Sequence, residues 1–215
     1  MDRRYKIVIF DLDGVLAEAT SSWGYIHDFF GVSNEKNLME YFERRIDDIE
    51  FMRRDIAMWQ MQEPDIGVER ISEILGKIPL VPGALETLQE IKGRGFKIAI
   101  ISGGLELLAN RINELVPIDH IYANGLQHDG SGALSGEGIL NVPLRHKEDV
   151  MLKLLEKLSL SPEECVAVGD STVDAAMLKS AGLGIAFCPL DEEVKTCADI
   201  IIYEKDLQEI LKYIL

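Results

Sequence analysis

Apolar positions in this chain come in runs rather than in strict alternation. The stretch "YKIVIF" (Tyr5 to Phe10) has no polar face and ends against two carboxylates, Asp11 and Asp13. A strand with one wet face alternates apolar and polar residues, whereas an unbroken run reads as a parallel strand covered on both sides. Comparable runs occur at "FKIAIIS" (Phe96 to Ser102), "CVAVGD" (Cys165 to Asp170) and "GIAFC" (Gly184 to Cys188), with "DIIIY" (Asp199 to Tyr203) as a fifth. Between them the period becomes helical. In "GALETLQEIKGRG", Leu85, Leu88 and Ile91 share a face and "GRG" ends the helix. "EDVMLKLLEKLSLS" and "TVDAAMLKSAG" are further examples. Strands alternating with helices at this spacing predict βαβ units, hence an α/β chain with a doubly wound parallel sheet.

Residues 19–80 break the rhythm. They hold few strand-like runs, carry "NLMEYFERRIDDIEFMRRDIAMWQM" at helical period, and close on the segment from Pro79 to Pro82. The expected division is a core of residues 1–18 and 81–215, with a small helical cap, residues 19–80, inserted after the first strand. Turn residues in "DGSG" predict a β-hairpin within Tyr122 to Ile139.

Composition narrows the chemistry. The 215 residues are 47% hydrophobic and 27% charged, ordinary for a folded chain with one main domain and a smaller partner. A net charge of -15 argues against nucleic acid as a partner, because phosphate backbones are held by clustered Lys and Arg. It favours a metal cation. Cys165, Cys188 and Cys197 are odd in number and form no CxxC, so neither a disulfide framework nor a zinc site is expected, and Cys188 reads as a small buried hydrophobe. The basic start runs straight into Asp11 with no cleavage site, and no segment approaches the length of a membrane span. These features predict a reduced, cytoplasmic protein with no membrane partner.

In an open parallel sheet, ligands bind beyond the carboxyl ends of the strands. Directly after successive runs stand Asp11 and Asp13, then Ser102-Gly103-Gly104, then Asp170 with Asp174. Two unit charges about 4 Å apart repel by roughly 4 kcal/mol at an effective dielectric near 20, so four acids at one spot require positive partners. Carboxylate oxygens suit a hard ion such as Mg2+, and Lys147, opening "HKEDVMLKLLEKL", is a candidate second cation. The "SGG" turn before "LELLANRI" offers a hydroxyl and backbone N–H groups as an anion cradle. Each piece has a plainer reading: "SGG" as a simple turn, Lys147 as a solvated lysine, "GDSTVD" as a helix cap with Asp170 or Ser171 as N-cap. A calcium loop at "DLDG" lacks the sixth-position glycine and the preceding helix. Acid nucleophile, metal, lysine and anion cradle, ordered after successive strands, together specify phosphoryl chemistry.

At these residues the chain resembles the haloacid dehalogenase superfamily, and within it the phosphoserine phosphatase branch. "DLDGV", "ISGG", Lys147 and "GDSTVD" match the four motifs in order, and "AGLGIAFC", "ADIII" and "LQEILKYIL" extend the likeness over essentially the whole chain. The resemblance implies a Rossmann-like core with a C1-type cap and a Mg2+-dependent phosphatase acting on a small phosphorylated metabolite, foremost phosphoserine. It implies that Asp11 attacks phosphorus to form an aspartyl-phosphate while Asp13 serves as acid and then base. Ser102, Gly103 and Lys147 would hold phosphoryl oxygens. Asp11, Asp170 and the Asp13 backbone carbonyl would bind Mg2+, with Asp174 ligating or orienting.

The substrate end departs from that branch. Val173 stands where the branch has Asn, and Thr20 stands about where it has the glutamate that meets the amino group, with Glu18 close by. Arg53 or Arg54 would supply the arginine that clamps a carboxylate, with Arg44 and Arg45 as alternatives. Trp23 and Trp59 read as cap core or as a wall excluding water, and none of His27, His120, His128 and His146 is required. Rival functions are a phosphatase for another small ester, a phosphotransferase, a receiver-like phospho-acceptor, and a binding relative without turnover.

Overall fold

The computed structural model describes residues 4–215. Along the chain run β1 (Ile7–Phe10), α1 (Ser22–Phe30), α2 (Glu35–Phe42), α3 (Asp48–Gln62), α4 (Val68–Leu75) and α5 (Ala84–Gly93). Next come β2 (Lys97–Leu105), α6 (Glu106–Leu115), β3 (His120–His128), β4 (Leu134–Ile139), α7 (Lys147–Leu158) and β5 (Cys165–Gly169). The chain ends with α8 (Ala175–Ser180), β6 (Leu183–Phe187), α9 (Glu192–Cys197), β7 (Ile200–Ile202) and α10 (Leu211–Ile214).

Seven strands form one sheet in the order β4-β3-β2-β1-β5-β6-β7, every neighbouring pair parallel except β3 with β4. β1 is central and buried throughout, as its unalternated run requires. Successive side chains leave opposite faces. Ile7 and Ile9 pack with Met151 and Leu154 of α7 and Met177 of α8, while Val8 and Phe10 join Leu88 and Ile91 of α5 and Leu108 and Ile112 of α6. Burying one such side chain contributes about 1.5–3 kcal/mol, so both faces hold helices firmly. The cluster around Val8 and Phe10 continues without a break into Ile26, Ile56, Trp59 and Ile71 of α1, α3 and α4. The helical segment therefore shares its apolar core with one face of the sheet.

Turn chemistry fixes the joints. Ser21 caps α1, its Oγ accepting from Gly24 N at 3.2 Å, and Asp47 caps α3, accepting from Glu50 N at 2.8 Å. Gly95, at φ 81°, turns the chain from α5 into β2. The hairpin predicted around "DGSG" is present, its turn tied by Asp129 Oδ1, which accepts from Ser131 N and Ser131 Oγ at 2.8 and 2.6 Å.

β3, the first arm of that hairpin, also pairs in parallel with β2. Two expectations change. "SGG" is the last part of β2 rather than a turn at a helix start, and its Gly104 and Leu105 N–H groups bond to Ser102 Oγ and Ser22 Oγ, so they are not a free cradle. Cys188 is half-buried at φ 44°, its Sγ 3.7 Å from the carbonyls of Tyr203 and Glu204, and Cys165 is the buried thiol. No helix among the described residues is long and apolar enough to cross a membrane.

Candidate active site

The direction of winding reverses at β1, with β2 on one side and β5 on the other, which opens a crevice beyond their carboxyl ends. Asp11 leaves β1 there, its N–H bonded to Val168 O of β5 at 2.9 Å. Lys147 enters from the first turn of α7 with its ammonium buried, Nζ lying 2.8 Å from Asp11 Oδ1 and 2.7 Å from Asp174 Oδ1. The other oxygen of Asp174 accepts from Asp170 N at 3.0 Å and Ser171 N at 3.3 Å. Ser171 is thus the N-cap of the short turn after β5, as the cap reading of "GDSTVD" allowed, and Asp174 closes that turn with one oxygen while the other bonds the lysine.

Asp13 points into the same crevice. Its Oδ2 accepts from Ser22 N and Ser22 Oγ, both at 2.8 Å, while Oδ1 is buried without a hydrogen-bond partner. Two glycines permit this closeness. A Cβ on Gly104 would fall 2.5 Å from Asp13 Oδ2, and one on Gly14, which sits at φ 80°, would fall 1.9 Å from Asp170 Oδ2. Ser102 is buried and lines the crevice; its Oγ accepts from Gly104 N at 3.1 Å, which leaves its hydroxyl hydrogen to donate. Gly103 O accepts from Trp23 Nε1 and Asn124 Nδ2, each at 3.1 Å.

Burial first, and then the neighbouring Asp174, push Asp11 up to about 7, against the pull of Lys147. Burial with Asp11 and Asp174 pushes Asp170 up to about 8. Asp13 is also raised by burial, which outweighs its two bonds from Ser22. Burial works against the charge of Lys147, but Asp11 and Asp174 overcome it and hold the ammonium more firmly than usual. One buried cation among four buried acids leaves the cluster short of positive charge. Asp11, Asp170 and Asp174 each offer an oxygen within 4.8 Å of the others, a hard-ligand set that fits Mg2+. Because both oxygens of Asp174 are committed, Asp11 and Asp170 are the better ligands.

Above the acids lies a cavity of about 320 Å³. Asp11, Asp13, Ser102, Gly103, Lys147 and Asp170 all line it, and Val173 adds an apolar wall. The opposite wall is one face of α3, Asp48, Phe51, Met52 and Asp55, at positions three or four apart. Trp23 lines the cavity while its stacked neighbour Trp59, 5.3 Å away, is core.

The cap residues predicted for substrate contact do not reach it. Arg53 and Arg54 occupy the α3 positions between those of the cavity face. Arg53 forks onto Glu137 of β4 at 2.9 and 3.0 Å and also bonds Glu50, whereas Arg54 bonds Glu50 and Glu40. Glu18 pairs with Lys205 at 2.8 Å. Arg44 is exposed and Arg45 pairs with Glu43. Residues that sequence reasoning misses are Ser22, which ties Asp13 to β2, and Asn124, which ties Gly103 O to Val142 O. Asp48 and Asp55 are missed as well, although Asp55 falls on the face of Met52, Ile56 and Trp59, and an acid inside an apolar stripe is a legible signal.

A family model described as haloacid dehalogenase-like hydrolase matches residues 5–182. Among curated relatives, a phosphoserine phosphatase of Methanocaldococcus jannaschii is 34% identical, covering 100% of both chains. One of Wolinella succinogenes is 31% identical over 97% of this chain and 100% of its own. A solved structure described as a phospho-aspartyl intermediate analogue of phosphoserine phosphatase superposes with TM-score 0.81 at 32% identity, over 99% of this chain and 100% of that one. With the acids, the lysine and the sheet order in agreement, the chain belongs to the haloacid dehalogenase-like hydrolase family.

Proposed function

We propose that the protein is a Mg2+-dependent phosphomonoesterase acting on a small phosphometabolite through an aspartyl-phosphate, with phosphoserine, the substrate named for its relatives, carried over as the first substrate to try. The observation that carries this reading is the pair Asp11 and Asp13 at the end of β1, with Lys147 Nζ 2.8 Å from Asp11. Asp11 attacks phosphorus, and the leaving alkoxide takes the proton of Asp13, whose raised pKa suits a donor. Asp13 then accepts a proton from the water that cleaves the acyl phosphate. Ser102 and Lys147 hold phosphoryl oxygens, and Gly103 gives them room. Asp11 and Asp170, with the backbone carbonyl of Asp13, hold Mg2+, and Asp174 orients Lys147. When bound, the ion supplies charge neutralisation and alignment for the phosphoryl group.

Residues 19–80 act as a cap over a core of residues 1–18 and 81–215, with Trp23 helping to keep water out during transfer. The setting we propose is reduced and cytoplasmic, on the odd number and spacing of Cys165, Cys188 and Cys197 in the sequence. The test is phosphate release by purified protein with and without Mg2+. Asp11→Asn is expected to lose activity on the order of 10³-fold or more, and a variant as active as the wild type ends the reading.

A further inference from the structure

The cavity has two ends, and the chemistry above uses only one. At the other, α3 presents Asp48 and Asp55. Among the described residues lining the cavity, the sole cation is Lys147, already held by Asp11 and Asp174 at the phosphoryl end. Asp55 is buried and built as an acceptor, receiving Asn34 Nδ2 at 2.9 Å and Asn37 Nδ2 at 3.4 Å. His27 Nε2 stands 3.1 Å from its Oδ2. Trp59 Nε1 donates to His27 Nδ1 at 3.1 Å, and an indole only donates, so the imidazole hydrogen is assigned to Nε2, on the side of Asp55. Asp48 is half-buried. Its Oδ1 accepts from Tyr41 Oη at 2.9 Å and Leu144 N at 3.2 Å, and its Oδ2 makes no hydrogen bond to a described residue. Trp23, Phe42 and Phe51 line the same cavity, with Trp23 stacked on Trp59, Phe51 stacked on Tyr41 and the Arg145 guanidinium 5.9 Å from the Phe42 ring centre. That the cavity takes a ligand is marked independently by Asp13, 8% exposed, whose Oδ1 has no partner.

Resting on the phosphomonoesterase reading, we propose that Asp55 and Asp48 read a positive charge on the leaving alcohol, so that the substrates are phosphate monoesters of amino alcohols. An ammonium there is attracted by both acids, whereas a carboxylate is repelled by both. Phosphoserine falls within this class through its ammonium, and its carboxylate is not what the cavity selects.

The full chain with Mg2+ is assayed for phosphate release from O-phosphoethanolamine, propyl phosphate, 3-phosphonooxypropanoate and O-phosphoserine. The kcat/KM for O-phosphoethanolamine is expected to exceed that for propyl phosphate by about tenfold or more, with 3-phosphonooxypropanoate below propyl phosphate and O-phosphoserine no better than O-phosphoethanolamine. In Asp55→Asn, and separately in Asp48→Asn, the ratio of O-phosphoethanolamine to propyl phosphate contracts. A ratio taken within one preparation does not depend on how much of it is folded. Turnover of all four esters without an ammonium preference, or with the carboxylate ester preferred, overturns the amino-alcohol proposal and leaves the phosphomonoesterase standing. Ratios unchanged in both variants overturn the assignment to these acids. No phosphate from any of the four overturns both readings.

Discussion

Lys147 carries the electrostatics of the site on a single side chain. Its ammonium lies between Asp11 and Asp174 with 1% of the residue exposed, so the charge that balances them is itself buried. Replacing it by a methionine of similar length removes the charge and keeps the bulk. Lys147→Met is therefore expected to destabilise the metal-free protein by about 3–5 kcal/mol, the usual consequence of stranding one side of a buried ion pair. Denaturant unfolding in EDTA measures this, and a variant as stable as the wild type contradicts the charge account. Lys147 is legible in the sequence as a residue opening a helix; that it is fully buried is not, because its partners come from β1 and from the turn after β5.

At the scale of elements, α3 decides what the cap offers the cavity. Met52, Asp55, Ile56 and Trp59 are its buried residues, and the adjoining turn adds Asp48 and Phe51 to the cavity wall. Arg53 and Arg54 are turned away by the 100° step of the helix and are taken up by Glu137, Glu50 and Glu40. The pairs of Arg53 are exposed and screened, and those of Arg54 with Glu50 and Glu40 are part-buried. Arg53→Ala and Arg54→Ala are each expected to change kcat/KM by less than about twofold on any substrate, because neither side chain reaches the cavity. A loss of tenfold or more would return an arginine to the substrate. The helix period is readable from "DIEFMRRDIAMWQMQ", but the choice of inward face is not, since the acids that hold the arginines lie on α2, on α3 itself and on β4.

For the whole molecule, the decisive quantity is the charge balance at the end of the sheet. In the folded, metal-free chain Asp11 and Asp170 keep their protons up to about 7 and about 8. The unfolded chain releases them near pH 4. Between those limits the folded state binds more protons than the unfolded one, so stability falls as pH rises from about 4 to about 8. Mg2+ bound to these acids, as proposed, would replace those protons, and its stabilisation is expected to grow over the same interval. Thermal unfolding is expected to show a Tm gain of about 5–10 °C at pH 8 with Mg2+ at a hundredfold excess over its Kd, and a smaller gain at pH 5. An equal gain at both values, or none at pH 8, argues against the acids as the ion's ligands.

The sequence by itself determined the α/β class, β1, β2, β5, β6 and β7, and the convergence of Asp11, Asp13, Ser102, Asp170 and Asp174. Those features come from local rules: unbroken apolar runs make covered parallel strands, and residues at the carboxyl ends of such strands meet at one edge. Tertiary structure alone decided that "SGG" continues β2 and that the first arm of the hairpin also pairs with β2. It also decided that Ser22 ties Asp13 to β2, that Asn124 ties Gly103 O to Val142 O, and that Asp48 and Asp55, not an arginine, line the cavity. The physical reason is that a helix face or a buried hydrogen bond is chosen by partners dozens of residues away, whose positions exist only once the sheet has formed.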